Sequence, residues 1–476
     1  MRLTARDLEK IPHGEFRNRE MLARNPVRGI STDSRTTRPG DLFVALRGGS
    51  FDGHRFVGAA LKAGAVAALV EEIDPAQAGG KPVMCVGSTY VALGALARAY
   101  RDRFGIPFIA VGGSNGKTTT KEMIAGVLAE KYSVLATEGN LNNNIGVPMT
   151  LFRLNRKHEV AVVEIGTNHP GEIRDLCAVL APTHGVITNI GREHLEFFGS
   201  LDGVAREEGE LFAFLGSLPG GTALVGADDT RVRDAARAVK RKVTYGFRTP
   251  RASVRGRNVT LGTDGCASFE FRAAAMKRWH RVRLPLPGKH NAMNGLCAAA
   301  AGIVFHVPPA RIARALESCR GVGRRMETLT LAGVTVLNDT YNANPDSAIA
   351  ALETLAALGV RGKRIAVLAD MKELGPGAAA EHRVVGEKAA ALGIDYLLTY
   401  GDLARHIRDG AAIPGAIHYE GKNVLAEYLA ELVTPGDAVL VKGSRSMHME
   451  DIVSFLTERL GSARRAGTAG TARRTP

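Results

Sequence analysis

The sequence predicts an α/β protein of three domains, and three observations carry that expectation. Apolar strand-length runs alternate with helical stretches in the middle and at the end of the chain, the pattern of parallel sheets covered by helices. A glycine-rich turn joins one such strand to a helix near residue 112. The 476 residues are enough for about three domains. Apolar content of 45% with mixed charge is that of a soluble chain able to bury several cores.

Composition also narrows the function classes. No apolar run reaches bilayer length, and MRLTARDLEK lacks the apolar core of a signal peptide. Cys85, Cys177, Cys266, Cys297 and Cys319 form no CxxC pair and read as reduced thiols of a cytoplasmic protein. The net charge of +14 suits nucleic acid, an anionic membrane surface or acidic small substrates. Part of it sits in the tail GSARRAGTAGTARRTP, residues 461–476, which reads as disordered. With one Trp and no stripe of alternating basic and aromatic residues, nucleic-acid binding is disfavoured, and an anionic substrate accounts for the charge as well.

Residues 1–105 form the first expected domain. The Pro39-Gly40-Asp41 turn leads into a strand at Leu42–Leu46, followed by a helix carrying Val57, Ala60 and Leu61. Asp33-Ser34-Arg35 and Asp52-Gly53-His54 flank the strand. These residue types serve turns and caps, and equally the recognition of a phosphorylated sugar, and spacing alone does not choose.

The second domain, 106–318, opens on FIAVGGSNGKTTTKEMIAGVLAEK, an apolar strand, a turn and a helix. Gly113, Ser114, Asn115 and Gly116 let backbone N–H groups curl around phosphate at a helix N-terminus. Lys117 supplies a cation for the outer phosphates, and Thr118, next to Thr119, a hydroxyl for Mg²⁺. The strict eight-position motif wants glycine where Val111 stands, yet strand, turn, Lys-Thr and helix occur in order. The expected ligand is a nucleoside triphosphate. Asn140 and Asn142–Asn144 mark a loop held by Ile145, Val147 and Met149. The strands Val160–Ile165 and Gly185–Ile190 carry Glu164 and His194 towards the rim on which the phosphate loop lies. Leu284–Ala301 reads as a turn and a small-residue helix on which Asn291 and Asn294 share a face. Their amides suit a purine edge, or a cap and a surface position.

The third domain, 319–460, has strands at Val334–Leu337, Arg364–Asp370, Asp395–Gly401 and Asp437–Ser444 between alanine-rich helices, a second doubly wound sheet. It has no phosphate loop, but Asp339, Asp370 and Lys442 end its strands, so its rim is expected to complete a site with the central domain. Residues alone thus point to an ATP-using ligase or kinase of an anionic substrate.

The ordered set GGSNGKTTTKEM, TEGNLNNNIGVP, EIGTNHPGEI, NIGREHLEFFGSLDGVA, GKHNAMN, GRRME, NDTYNANPDS, ADMKELG and VKGSRSMHMED resembles the Mur ligases up to about Leu460. The resemblance implies an N-terminal domain for a UDP moiety, a central ATPase domain and a C-terminal Rossmann-like domain. YNANPDS and the Asn-rich loop imply the branch that joins D-Ala-D-Ala to UDP-MurNAc-tripeptide through an acyl phosphate, with ATP and Mg²⁺ and as a monomer. It implies that Gly113–Thr119 bind ATP phosphates, Thr118 and Glu164 serve one Mg²⁺, and His194 a second. Asn291 and Asn294 would lie near adenine, Arg325 near the γ-phosphate, and Asp339 and Asn344 near the nucleotide. Asp33, Ser34, Arg35, Asp52, Gly53 and His54 would hold the uridine-sugar end. Thr137, Asn142, Asn143 and Asn144 would face the muramoyl part. Two residues depart from the family: Glu193 replaces an alanine before the metal-site histidine, and Glu208 replaces a lysine that carries a carbamate in relatives. Glu208 is therefore expected to stand in for that carbamate as a metal ligand, with Glu207 able to share the task.

Overall fold

The structure is a computed structural model of the 476-residue chain. It describes all residues except Arg2, Lys10, Pro12, His13, Ser50, residues 74–77 and residues 470–476. Its strands form three main sheets, each with helices packed against it.

The first sheet runs Glu15–Arg17, Val83–Cys85, Ala67–Val70, Asp41–Val44, Gly29–Ser31 in spatial order. It is parallel except for the first pair. Helix Val57–Lys62 buries Val57, Ala60 and Leu61, as expected. Helix Thr89–Arg101 fastens this unit to the next. Tyr100 donates its hydroxyl to Leu154 O at 2.8 Å, and Arg101 donates to Leu180 O and Ala181 O at 2.9 and 2.7 Å.

The central sheet has nine strands. Val134–Ala136, Val160–Glu164, Phe108–Gly112, His184–Ile187, Thr222–Gly226, Arg241–Gly246 and Val254–Leu261 are parallel. Cys266–Ala273 and His280–Pro287 continue it in antiparallel fashion. Phe108–Gly112 is buried throughout because both faces are covered, which is why it reads as a continuous apolar run. Phe108 and Ala110 pack into one core with Leu211 and Phe212. Ile109 and Val111 pack into the other with Ile124 and the alanines of helix His290–Val304. Leu284–Pro287, expected as a turn, is instead the end of strand His280–Pro287. That strand lies at the sheet edge, where Pro285 and Pro287 need donate no bond to an outer neighbour.

The third sheet is ordered Glu327–Leu331, Val334–Asp339, Ala438–Lys442, Arg364–Ala369, Tyr396–Tyr400, Ala416–Tyr419. Only the first pair is antiparallel. The last helix, Glu450–Ala469, runs past Leu460, and residues 470–476 of the basic tail lie outside the described residues. No helix among the described residues is long and apolar enough to cross a membrane.

Asp437 joins the two central strands of this sheet at their starts. It is 1% exposed and accepts the N–H groups of Lys363 at 2.7 Å and Thr434 at 2.8 Å, with the Lys363 ammonium at 3.0 Å. Asp437→Ala strands both N–H groups and is expected to cost about 3 kcal/mol. Chemical denaturation followed by circular dichroism checks this, and an unchanged transition would contradict the role.

Candidate active site

The phosphate loop stands at the middle of the central sheet. Register pairs Glu164 with Val111 and Ile187 with Gly112, so the three strand ends share one rim. Gly113 at φ 110° and Gly116 at φ 79° turn the chain into helix Lys117–Ala129. A Cβ on Gly113 would lie 2.3 Å from Thr188 Oγ1 and 2.6 Å from Thr188 N, so no side chain fits there. The loop is braced by the next strand's extension. Ser114 N–H donates to Asn189 O at 2.9 Å, and Thr188 Oγ1 donates to Asn115 O at 2.7 Å.

Lys117 folds back over the loop, its ammonium donating to Gly113 O at 2.5 Å and approaching Glu193 at 3.4 Å. Burial opposes its charge, but Glu193, Glu208 and Glu164 outweigh burial and hold it above the ordinary lysine range. Among the described residues, each of these carboxylates keeps one buried oxygen without a partner, as does the Thr118 hydroxyl. The second Glu164 oxygen accepts from Asn142 Nδ2 at 2.8 Å. One ammonium thus faces an excess of buried acceptor oxygens.

Ser114–Thr119, Asn142–Asn144, Glu164, His194, Asn291, Asn294, Arg325, Asp339 and Asn344 all line one cavity of 1330 Å³. Its far wall is the third sheet's rim. Asn344 caps helix Pro345–Ala357 and donates from Nδ2 to Asn115 Oδ1 at 2.9 Å. Asp339 receives the Lys442 ammonium at 2.5 Å, and the Arg325 guanidinium lies 3.8 Å from the centre of the Tyr341 ring. His194, left-handed at φ 47°, is 2.5 Å from Glu373, itself left-handed at φ 63°. The pairing holds the Glu373 carboxyl below its ordinary range. Asn291 and Asn294 bond to each other at 3.0 Å, and the Asn294 amide stands 3.0 Å from where a Gly116 Cβ would lie.

Several expected residues lie elsewhere. Thr137 is 1% exposed and does not face the cavity; its hydroxyl accepts the Glu164 N–H at 3.0 Å, fixing the end of that strand. Glu207 does not line the cavity. Its oxygens accept the N–H groups of Gly171 at 2.7 Å and Ile173 at 2.8 Å at the start of helix Glu172–Leu180. Glu208 lies behind the loop rather than on the cavity wall, where it accepts the Gly113 N–H at 2.6 Å. Of the two departures, Glu193 is the one that lines the cavity.

Asp33, Ser34, Arg35 and Asp52–His54 lie on the first unit, after the carboxyl ends of the adjacent parallel strands Gly29–Ser31 and Asp41–Val44. Arg35 grips both oxygens of Asp33 and holds its carboxyl down at about 2. His54 is not free for a ligand as expected. Its Nε2 accepts the Glu71 N–H at 2.9 Å, so Nδ1 carries the proton and donates to Asp52 at 2.7 Å. Gly53 is buried, with Leu46 N and O 2.8 Å from where a Cβ would lie.

Arg192 is a contact that sequence reasoning missed. Its guanidinium donates to Asp346 at 2.5 and 2.9 Å and to Glu381 at 2.7 Å, clamping the third unit to the loop before His194. It stands just before Glu193 and His194, both already singled out, but nothing in spacing reveals a partner 154 positions away.

Burial raises the Glu208 carboxyl, with Glu193 adding to it and Lys117 opposing, to about 8 against 4.5 ordinarily. From pH 4.5 to 8 the folded protein therefore holds a proton that the unfolded chain has lost, and stability falls as pH rises, by at most about 1.4 kcal/mol per unit. Glu208→Gln keeps an acceptor for Gly113 and removes that dependence. In nucleotide-free, metal-free enzyme its Tm advantage over wild type is expected to grow from pH 5 to pH 8 and then level off. A constant difference would contradict the buried carboxyl.

Models of known families match the chain in three consecutive parts. These are the Mur ligase family catalytic domain at residues 26–110, the Mur ligase middle domain at 111–302, and the Mur ligase glutamate ligase domain at 324–445. The UDP-N-acetylmuramoyl-tripeptide–D-alanyl-D-alanine ligase of Bacillus subtilis (strain 168) is 35% identical over 96% of this chain and 98% of its own. The enzyme of the same name from Escherichia coli (strain K12) is 36% identical over the same shares. Among solved structures, MurF from Acinetobacter baumannii superposes with a TM-score of 0.88 at 32% identity, over 96% of this chain and 99% of that one. MurF from Thermotoga maritima in complex with ADP gives 0.81 at 28% identity, over 92% and 99%. With a phosphate loop facing a second α/β unit across one cavity, and with these matches along its length, the chain belongs to the Mur ligase family.

Proposed function

We propose that the chain is an ATP-dependent ligase that joins the terminal carboxylate of UDP-MurNAc-tripeptide to the amine of D-Ala-D-Ala, for peptidoglycan precursor synthesis. The observation that carries this reading is the nucleotide loop opening on a cavity whose other wall is the third unit, bridged by Asn344 and Asn115. We read domain limits at 1–105, 106–318 and 319–460, with a monomer acting in the cytoplasm and no nucleic-acid partner.

The chemistry follows from the groups present. A carboxylate resists amines because its oxygens are poor leaving groups, so ATP first places its γ-phosphoryl on that carboxylate, releasing ADP. The D-Ala-D-Ala amine then attacks the acyl carbon, the tetrahedral intermediate expels phosphate, and one proton leaves the nitrogen. The Lys117 ammonium and the N–H groups of Gly113–Thr119 stabilise charge on the transferring phosphoryl. Arg325, from the other wall, meets the same group. Asn291 and Asn294 stand beside Gly116 and suit the adenosine end, with Asp339 and Asn344 closing over the nucleotide. Thr118 and Glu164, each with an unpartnered buried oxygen, fit a hard cation that takes its remaining ligands from phosphate and water. Mg²⁺ would supply charge neutralisation there. His194 fits a second ion, since a histidine that donates one ring N–H to a carboxylate presents its other nitrogen to a metal. Glu208 acts as a positioning residue for Gly113. Asn142–Asn144 suit the muramoyl part, and Asp33-Ser34-Arg35 with Asp52 the uridine-sugar end.

The test is phosphate release from ATP with UDP-MurNAc-tripeptide, with and without D-Ala-D-Ala. Release that requires both, with a mass for the pentapeptide product, is expected. Nucleotide binding without dipeptide-dependent release would refute the assignment and leave a related amide ligase.

A further inference from the structure

The antiparallel extension of the central sheet carries a cluster that ATP chemistry does not use. Strands Val254–Leu261, Cys266–Ala273 and His280–Pro287 bury one face, through Val254, Phe269, Phe271, Val282 and Leu284. The opposite face holds arginines around Trp279. The guanidiniums of Arg257, Arg272 and Arg255 lie 4.1, 4.8 and 5.9 Å from the ring centre.

Pairing register concentrates positive charge on this face. Arg255 stands directly opposite Arg272, and like charges in that relation repel. Arg257 stands opposite Glu270 and is neutralised by it at 2.7 Å. Among the described residues neither Arg255 nor Arg272 has a carboxylate within bonding reach. Arg272 donates one bond to Met276 O at 3.3 Å, while its Nε is buried with no acceptor. A cavity of 210 Å³ opens between Arg255, Arg257, Trp279 and the turn Gly246–Pro250.

We propose that this cavity is a second anion site, for the phosphate group of a phosphate-bearing ligand, distinct from the nucleotide loop. The Trp279 ring spaces the guanidiniums by cation–π contact, and their planar forks match phosphate oxygens in pairs. The aromatic face is already covered by arginine, which favours a phosphate over a stacked base. A bound phosphate would meet Arg255, which lines the cavity with Arg248 and Arg257, and offset the positive charge that Arg255 and Arg272 bring face to face.

Trp279 is the one tryptophan of the chain, so intrinsic tryptophan emission reports on this face. The full chain is titrated with pyrophosphate at ionic strength held constant with chloride, in wild type and in Lys117→Ala, which removes the cation of the nucleotide loop. A saturable emission change is expected in both, with half-saturation raised at least tenfold in Arg255→Gln. Arg255→Gln is expected to keep ligase turnover at saturating substrates, which shows that it folds. A parallel arm measures co-sedimentation with vesicles of phosphatidylglycerol against phosphatidylcholine. Arg255-dependent retention on the anionic vesicles alone assigns the phosphate to a lipid headgroup, and a response to pyrophosphate alone assigns it to a soluble ligand. Overturning results are no saturable response in either arm, a response unchanged in Arg255→Gln, or a pyrophosphate response that disappears in Lys117→Ala.

Discussion

At the centre of the molecule one ammonium is held among three buried carboxylates. Lys117 lies against its own loop through Gly113 O, with Glu193 and Glu164 supplying the negative field that keeps it charged despite burial, joined by Glu208 once that carboxyl loses its proton. An uncompensated buried charge would cost several kcal/mol on the order set by desolvation. The arrangement therefore constrains everything around it. Phe108–Gly112 must sit between Val160–Glu164 and His184–Ile187, because those strands deliver Glu164 and the segment bearing Glu193. Helix Leu201–Ser217 must pack behind the loop, because it brings Glu208 to the Gly113 N–H. The spare oxygens of Glu164 and Glu193, which line the cavity, are what a divalent cation requires.

The second constraint is docking of the third unit. Arg192, His194 and Asn115 contribute from the central unit, and Asp346, Glu381, Glu373 and Asn344 answer from the third. These are charge-assisted or amide contacts beside the cavity, so the cavity wall and the docking of the third unit are built from neighbouring residues. A site assembled this way excludes water from a reactive acyl phosphate when both walls meet.

Much of this was legible in the chain because its chemistry is local. The phosphate loop declares itself through glycine, lysine and threonine in order between a strand and a helix, although Val111 breaks the strict motif. Glu164 and His194 follow from the rule that parallel strands present ligands at their carboxyl ends. What was not legible depends on direction and long-range pairing. Thr137 and His54 are polar residues in polar neighbourhoods, yet each is committed to a backbone group that only the folded sheet supplies. Glu207 and Glu208 are sequence neighbours on one helix, and the rotation between them sends one to a helix start and the other to the phosphate loop. The Arg255–Arg272 opposition needed the register of an antiparallel pair. An edge strand with two prolines hid that pair's neighbour as a turn.

Carboxylate activation by ATP in the shared cavity has to precede amide formation. UDP-MurNAc-tripeptide labelled with ¹⁸O in its terminal carboxylate tests it most directly, by mass analysis of phosphate released in the presence of ATP and D-Ala-D-Ala. Transfer through an acyl phosphate predicts one ¹⁸O atom in each phosphate released alongside product. Phosphate free of the label, with amide formed, would contradict it.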